Sequence, residues 1–303
     1  FLVNRSLTSG LPINHLGGVQ RRWRWRGFEI FATESGSGSP ALLVHGMAVG
    51  SSSYEFRKIF ERLAGSHRVV AFDFLGFGLS EKPDVSYTTD LFVEQLTGAL
   101  EEFARGEPAT LIGSGRGAAY AIRSAARSTA PVSHVVAICP SGLAGTREDP
   151  KPDGRRAVAP LLATPVLGAS LYSAIVSRPA LRRSLEGHVY GDRSAVTPAI
   201  LDHYVAVTHQ PGARRVPAAL FAGKLDCDVA PDLPFLDARL LVLWGKRAPA
   251  FNPARNAAEY VALAKNAEAE YYVRSGLLPH EEEPEAVAAR IEAFTRASAA
   301  HSR

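Results

Sequence analysis

Short apolar segments alternate with longer amphipathic ones along most of the 303-residue chain, and this alternation restricts the folds open to it. Parallel strands joined by helical crossovers produce such a pattern, because helices cover both faces of a parallel sheet. We therefore expect an α/β protein with a mostly parallel central sheet. The expected strands are residues 41–45, 68–73, 109–113, 134–139, 240–244 and 268–273, and the expected helices are residues 53–63, 89–103, 117–128, 253–264 and 284–297.

Residues 21–26 alternate arginine with tryptophan near the start of the chain. Such a segment can bind an anionic membrane surface or stack nucleobases. Alternation with a period of two also places Trp23 and Trp25 on one face of a β-strand, and we favour this interpretation. The strand is expected to continue through Phe28, Ile30 and Ala32.

The alternation stops between the fourth and fifth of the six expected strands. Residues 142–234 contain helical stretches and many Pro and Gly residues but no strand-like run, which predicts an inserted helical cap. The expected domains are a core of residues 20–141 and 235–300, the cap of residues 142–234, and an N-terminal extension of residues 1–19.

Composition excludes several functional classes. The net charge of +4 comes from interspersed charges, which argues against nucleic acid, and the apolar runs are too short for a transmembrane segment. Two cysteines, Cys139 and Cys227, exclude a disulfide framework. The scattered histidines predict no metal site, and we expect no cofactor. The N-terminus carries neither an initiator Met nor a signal sequence, so we expect a truncated start and take a soluble, cytoplasmic protein as the default.

Three loops that follow expected strands bear on chemistry. In the first, Gly46 and Met47 follow His45, and a glycine there allows backbone N–H groups to turn toward a pocket as an oxyanion hole. The second covers residues 73–80, with the pattern Asp-x-x-Gly-x-Gly-x-Ser. The third covers residues 113–117, Gly-Ser-Gly-Arg-Gly, and joins a strand to an Ala-rich helix.

With these loops, and with Trp244-Gly245 further on, the chain resembles the α/β-hydrolase superfamily from about Trp23 to Ala297. The resemblance is to the cap-bearing group that contains haloalkane dehalogenases, epoxide hydrolases and C–C bond hydrolases. A dinucleotide-binding loop is a poor alternative, because the three glycines do not have the G-x-G-x-x-G spacing.

The resemblance implies a catalytic triad whose three positions are occupied here by residues without the required chemistry. The nucleophile would stand at the apex of the elbow, which is Gly115. The acid would follow Trp-Gly at Ala248, and the base would precede the last helix at Leu277. Because a nucleophile needs its base and the base needs its acid, we interpret the triad as lost as a unit.

Four groups are candidates to replace the lost ones. Ser114, one residue before the apex, is expected to point to the other face of the sheet. The resemblance implies a packing role for His280, and Cys139 is expected to be a packed small apolar residue. After the strand ending at Cys139, no carboxylate occurs before Glu148.

The sequence therefore predicts a pseudo-hydrolase, or pseudoenzyme, whose pocket between sheet and cap binds a small apolar ligand, or a scaffold or accessory subunit for a protein partner. The alternative is an enzyme of another class, such as a lyase or cyclase, that combines the oxyanion-hole backbone of Met47 and Arg116 with other polar residues. Oligomeric state is left open. Ligand-binding candidates are His45, Gly46, Met47, Ser114, Arg116 and His280, and cap candidates are Asp202, His203, His209 and Asp226.

Overall fold

One eight-stranded sheet organises the chain. The computed structural model describes residues 14–143, 154–164, 166–248 and 253–296. The strands are β1 (Val19–Trp25), β2 (Phe28–Ser35), β3 (Pro40–Val44), β4 (Arg68–Phe72), β5 (Ala109–Ser114), β6 (Val132–Ile138), β7 (Arg239–Gly245) and β8 (Ala267–Tyr272). They lie in the order β1-β2-β4-β3-β5-β6-β7-β8. From β4 to β8 all neighbours are parallel, and β1 and β2 are antiparallel additions at one edge. The predicted α/β fold with a mostly parallel sheet is confirmed.

Helices connect the parallel strands and cover both faces of the sheet. They are α1 (Phe60–Ala64), α2 (Thr89–Ala99), α3 (Gly115–Arg127), α4 (Gly154–Ala163), α5 (Leu167–Ile175), α6 (Arg178–His188), α7 (Pro198–Thr208), α8 (Arg215–Phe221), α9 (Pro253–Leu263), α10 (Pro279–Glu282) and α11 (Pro284–Arg296). The helix expected over residues 53–63 is divided into a 3₁₀ turn, Ser53–Phe56, and α1.

The first two strands form a hairpin where the sequence predicted one continuous strand. The turn is made by Arg26 and Gly27, whose φ angles are +49° and +86°. Two consecutive positive φ angles reverse the chain in a tight two-residue turn. The expectation of a strand running unbroken from Trp23 to Ala32 is therefore wrong, although both of its halves are β-structure.

The arginines of this hairpin are largely engaged by glutamates of the same protein. Arg22 pairs with Glu29 across the hairpin at 3.1 Å, and Arg26 pairs with Glu94 of α2 at 2.8 Å. Trp25 is buried in the core beneath them. These contacts favour the structural interpretation of the Arg/Trp segment over a nucleic-acid or membrane-binding one.

Two apolar layers enclose the sheet because alternate residues of a strand face opposite sides. In β3, Leu42 and Val44 belong to the layer under α2 and α3, whereas Ala41 and Leu43 belong to the layer under α1 and α11. The whole strand is buried, as expected for a parallel sheet covered on both faces. The carboxyl ends of these rigid strands position the loops of the candidate site.

Helices α4 to α8 are inserted between β6 and β7 and pack around a third apolar cluster. Leu181, Leu185 and Tyr204 belong to it, and so do Tyr54 and Leu278, which come from the sheet-bearing part of the chain. The inserted helices therefore share a hydrophobic cluster with the loops at the carboxyl edge. None of the helices in the described part of the chain combines the length and apolar character that a membrane crossing requires.

Candidate functional site

The turn between β5 and α3 has the sharp shape that the sequence predicted. Gly115 has a φ of +54°, in the left-handed region, and a Cβ atom placed on it would have no neighbour within 4 Å. The flanking glycines have no such room. A Cβ on Gly117 would lie 2.3 Å from the carbonyl oxygen of His45, and one on Gly113 would lie 2.6 Å from the Cα of Ala118. The close approach of β5, α3 and the loop after β3 thus requires the outer two glycines, while the apex faces open space.

That open space is part of a cavity of about 390 Å³ between the carboxyl edge of the sheet and the inserted helices. Of the residues predicted to form the site, Gly46, Met47, Ser114, Gly115, Arg116 and Leu277 line it. Ile175, Leu181, Leu185, Val189, Leu220 and Phe221 contribute much of the apolar surface from the insertion. The cavity is large enough for a small organic molecule, although it lies at the lower end of ligand-site volumes.

A glutamate that the sequence analysis did not single out also lines this cavity. Glu55 lies in the 3₁₀ turn Ser53–Phe56 and is only 4% exposed. Its Oε1 atom accepts a hydrogen bond from the backbone N–H of Gly46 at 3.1 Å. Burial raises the pKa of this carboxyl to about 8, against smaller opposing effects from Gly46 and Ser114. Glu55 is therefore mainly a neutral carboxylic acid at neutral pH.

His280 lies behind Glu55 and does not line the cavity. Its Nε2 atom is 3.9 Å from Oε1 of Glu55, and its ring stacks on Phe56 with 5.1 Å between centroids. Neither ring nitrogen has a hydrogen-bond partner among the described residues. Burial, together with the charge of Arg57, lowers the pKa of the imidazole to about 3, so His280 is neutral and cannot neutralise an ionised Glu55.

The cation nearest to this region is committed to a different carboxylate. Arg57 donates two hydrogen bonds to Glu281, at 2.7 and 2.8 Å, and Tyr190 donates a third at 2.7 Å. Glu281 is 1% exposed, and Arg57 is partly buried. The two buried carboxyls thus differ in their partners: Glu281 has a cation and hydrogen-bond donors, and Glu55 has a single backbone donor and Ser114 nearby.

Comparison with known proteins places this arrangement in a family. A sequence profile of the Alpha/beta hydrolase family matches residues 41–290. The chain belongs to the alpha/beta hydrolase family. Among similar proteins, the 2-hydroxymuconate semialdehyde hydrolase of Pseudomonas sp. (strain CF600) is 35% identical over 112 residues, which are 36% of this chain and 39% of the relative. The match therefore spans about two fifths of that relative's length.

A longer but weaker match is the 2-hydroxy-6-oxo-6-phenylhexa-2,4-dienoate hydrolase of Burkholderia cepacia, 24% identical over 82% of this chain and 85% of the relative. The crystal structure of a serine hydrolase involved in carbazole degradation, CarC, has a TM-score of 0.75 and 20% identity, and covers 92% of this chain and 99% of its own. The epoxide hydrolase CorEH has a TM-score of 0.74 and 21% identity, with coverages of 91% and 98%. These structures establish the shared fold.

Within this alpha/beta hydrolase, Ser114 is the last residue of β5 and lines the same cavity as Gly115. Its side chain interacts with Glu55, which precedes Phe56 of the apolar layer under α1 and α11. Ile112, two residues earlier in β5, belongs to that same layer. Ser114 thus combines a position at the cavity with a side-chain contact to the carboxyl of Glu55.

The other two triad positions, Leu277 and Ala248, differ in their relation to the cavity. Leu277 lines the cavity, and its N–H donates to the carbonyl of Val189 at 2.7 Å, which ties this loop to the insertion. Ala248 is 5% exposed but does not line the cavity, contrary to the pocket predicted from the sequence. The position expected to carry the acid is therefore shielded from any ligand in the described cavity.

His45 was a ligand-binding candidate, and its position does not support that role. Nδ1–H donates to the carbonyl of Gly46 at 2.6 Å, and Nε2 accepts from the N–H of Phe74 at 3.0 Å. This assignment uses both ring nitrogens of a neutral imidazole. Since His45 is fully buried and does not line the cavity, it holds the loop after β3 in place.

Two polar features remain at the cavity wall. Arg116 is in the first turn of α3, where backbone N–H groups have no acceptor within the helix, as an oxyanion hole requires. Its guanidinium donates to Asp226 at 2.9 Å, and both residues line the cavity. Cys139 also lines the cavity, but burial raises the pKa of its thiol to about 12, so it is not a ready nucleophile.

The remaining cap candidates lie away from the cavity. Asp202 pairs with Arg178 at the surface, at 2.5 Å. His203 stacks on Tyr54 and lies 2.9 Å from the hydroxyl of Ser52, and His209 contacts the carbonyl of Val205. Glu148, the first carboxylate after β6, is outside the described residues. In the described ranges, no three His, Cys, Asp or Glu side chains are grouped as metal ligands.

Proposed function

We propose that this member of the alpha/beta hydrolase family has lost hydrolysis and binds a small apolar molecule in its cavity. The observation that carries the proposal is Gly115, which keeps the backbone of a nucleophile elbow while presenting no side chain to the open space. The relatives named above are hydrolases, and we propose that this chain retains their fold without their reaction.

The chemistry around Gly115 supports this proposal. Leu277 cannot accept a proton, and Ser114 contacts a carboxyl and has no histidine at hydrogen-bond distance within the described residues. A serine becomes a nucleophile only when a base removes its proton. The apolar side chains of the inserted helices favour a ligand with a hydrocarbon body.

The cavity favours a ligand-binding protein over a scaffold or accessory subunit. A protein kept only for its outer surface gains nothing from an internal space, because an unfilled cavity costs stability. A volume of about 390 Å³ open to Leu181, Leu185 and Phe221 is better explained by an occupant.

Assays of ester hydrolysis test the loss of activity. Because loss of a triad lowers turnover by about 10⁶, p-nitrophenyl acetate and butyrate should be hydrolysed at less than about 10⁻³ per second. Turnover near 1 per second, typical of enzymes, would overturn the proposal if it recurs in an independent preparation and is lost in Leu277→Trp, which fills the cavity. The comparison with Leu277→Trp separates the protein's own activity from that of a contaminant.

Binding is tested with isopropenyl naphthalene, an uncharged hydrocarbon, by isothermal titration calorimetry. We expect saturable binding to the wild type and loss of binding in Leu277→Trp, since Leu277 lines the cavity. The matched control is Val273→Trp, at a side chain that is 59% exposed and outside the cavity. Equal binding by both variants would place the hydrocarbon elsewhere and contradict the proposed site.

A second candidate function is favoured by Glu55. A carboxyl with a pKa of about 8 in a cavity is suited to general acid-base catalysis near neutral pH. We propose, as the alternative, a non-hydrolytic enzyme such as a lyase or cyclase that uses Glu55 with the backbone N–H groups of Met47 and Arg116. For any substrate found, Glu55→Gln should abolish turnover but retain binding, and an unchanged turnover rejects this role.

A further inference from the structure

The Glu55 carboxyl is the most unusual polar group of the cavity. It is nine-tenths buried or more, and Oε1 is occupied by the N–H of Gly46. Oε2 and the hydroxyl of Ser114 lie beside this glycine, 3.6 and 3.8 Å from the position that a Cβ on Gly46 would take. One oxygen is thus held by the backbone, and the other lies next to a second cavity-lining polar group.

We propose that Glu55 is the polar anchor of the cavity and that, as a neutral acid, it donates a hydrogen bond to the carbonyl oxygen of an uncharged, otherwise apolar ligand such as a ketone or lactone. This inference rests on the ligand-binding function proposed above. It adds the class of ligand and the residue that recognises it.

The groups that face Glu55 keep it neutral. His280 is itself uncharged, Arg57 is engaged by Glu281, and the charge of Glu281 opposes ionisation of Glu55. Burial raises the pKa of Tyr204, which also lines the cavity, above the range in which it could ionise. These surroundings contain no free cation that would balance a carboxylate at this position in the described residues.

The same surroundings select an uncharged acceptor as the ligand. Backbone N–H groups of Met47 and Arg116, both cavity-lining, are donors, and a protonated Glu55 adds an O–H donor. A carboxylate ligand would need a cation, but the guanidinium of Arg116 donates to Asp226. An ammonium ligand has only N–H donors, so it would face these donors without an acceptor. A carbonyl oxygen accepts from several donors without bringing charge into an apolar cavity.

The test compares two molecules of nearly equal shape, methyl naphthyl ketone and isopropenyl naphthalene, which differ in a C=O and a C=CH₂ group. By calorimetry at about pH 6, the wild type should bind the ketone about fivefold more tightly, as expected for one neutral hydrogen bond. The preference should be lost in Glu55→Leu, which removes the donor but not the apolar surface.

Glu55→Gln and a change of pH separate recognition from packing. The amide of glutamine still offers a donor to the ligand and an acceptor to Gly46, so this variant should keep the preference at about pH 6 and at about pH 10. The wild type should lose it at about pH 10, because Glu55 ionises above about 8. Thermal melting of each variant confirms that it is folded.

The outcomes distinguish the two proposals. If the wild type binds neither molecule, the proposed ligand-binding function fails, and this inference fails with it. If it binds both with equal affinity, or if the ketone preference persists in Glu55→Leu, the cavity binds apolar ligands but Glu55 is not their anchor. A preference that is present at both pH values in the wild type also overturns the assignment of Glu55 as a neutral donor.

Discussion

Two pairs of cavity-lining residues differ in chemistry. The apolar pair, Gly115 and Leu277, occupies positions where the family resemblance implies a nucleophile and a base, and its side chains offer no polar atom. The polar pair, Glu55 and Ser114, offers a carboxyl and a hydroxyl close to Gly46. The absence of polar atoms at Gly115 and Leu277 therefore does not make the cavity uniformly apolar.

The largest expected effect is the pH dependence of protein stability that arises from Glu55 of the polar pair. Below about pH 4.5, Glu55 is protonated in both the folded and the unfolded chain. Above it, the unfolded chain releases the proton while the folded chain keeps it until about pH 8, so stability falls over this interval. Each pKa unit of the shift corresponds to about 1.4 kcal/mol, and the full loss is on the order of 5 kcal/mol.

Urea unfolding of the wild type and of Glu55→Gln across this pH range measures the loss, because the other ionisable groups cancel in the difference. The Gln variant should become progressively more stable than the wild type as pH rises. Glu61→Gln, at an exposed glutamate of α1, is the matched control and should show a flat difference. A flat difference for Glu55→Gln as well would mean that the carboxyl is ionised when folded.

The next effect concerns Arg57, the cation near the polar pair. Arg57→Met leaves Glu281 buried without its partner, which should cost about 3 to 5 kcal/mol of unfolding free energy. Arg62→Met, which removes an exposed pair with Glu292, should cost less than about 1 kcal/mol. Urea denaturation measures both. A small loss for Arg57→Met would show that Arg57 is not committed to Glu281, and the contrast between the two buried carboxyls would then disappear.

The smallest change in stability is expected at Gly115 of the apolar pair. Gly115→Ser places a side chain in open space, so its cost is only that of a left-handed backbone, about 1 to 2 kcal/mol. Gly117→Ser, whose Cβ would clash with the carbonyl of His45, should cost more. Neither variant should gain ester hydrolysis above about tenfold, since no histidine among the described residues lines the cavity next to the new hydroxyl. An acyl-enzyme burst in Gly115→Ser would reveal a base near Gly115 and contradict the contrast between the apolar and the polar pair.

The sequence predicted the parts of this fold that depend on local patterns. Continuous apolar runs such as residues 41–44 identify strands buried on both faces, and the spacing of Gly113, Gly115 and Gly117 predicted a sharp turn. The turn of the hairpin could not be predicted from the alternation of Arg and Trp, because this alternation continues up to Arg26. The one local signal of the turn is the glycine of Arg26-Gly27.

The polar pair of the cavity wall could not be predicted in the same way. Glu55 follows Tyr54 in a segment interpreted as an amphipathic helix, where a glutamate is ordinarily solvated. Its burial results from distant elements, since α10 and the loop at Gly46 cover it. The one local signal was its position between two aromatic residues, Tyr54 and Phe56. Sequence spacing alone does not report which long-range neighbours will enclose a side chain.

The stacking of Tyr54 on His203 connects helix α7 to the turn that carries Glu55. The rings lie 3.8 Å apart and nearly parallel, and the hydroxyl of Ser52 is 2.9 Å from Nε2 of His203. Tyr54 and Glu55 are neighbours in one turn, while His203 belongs to α7. One pair of stacked rings therefore couples the position of α7 to the turn that presents the carboxyl.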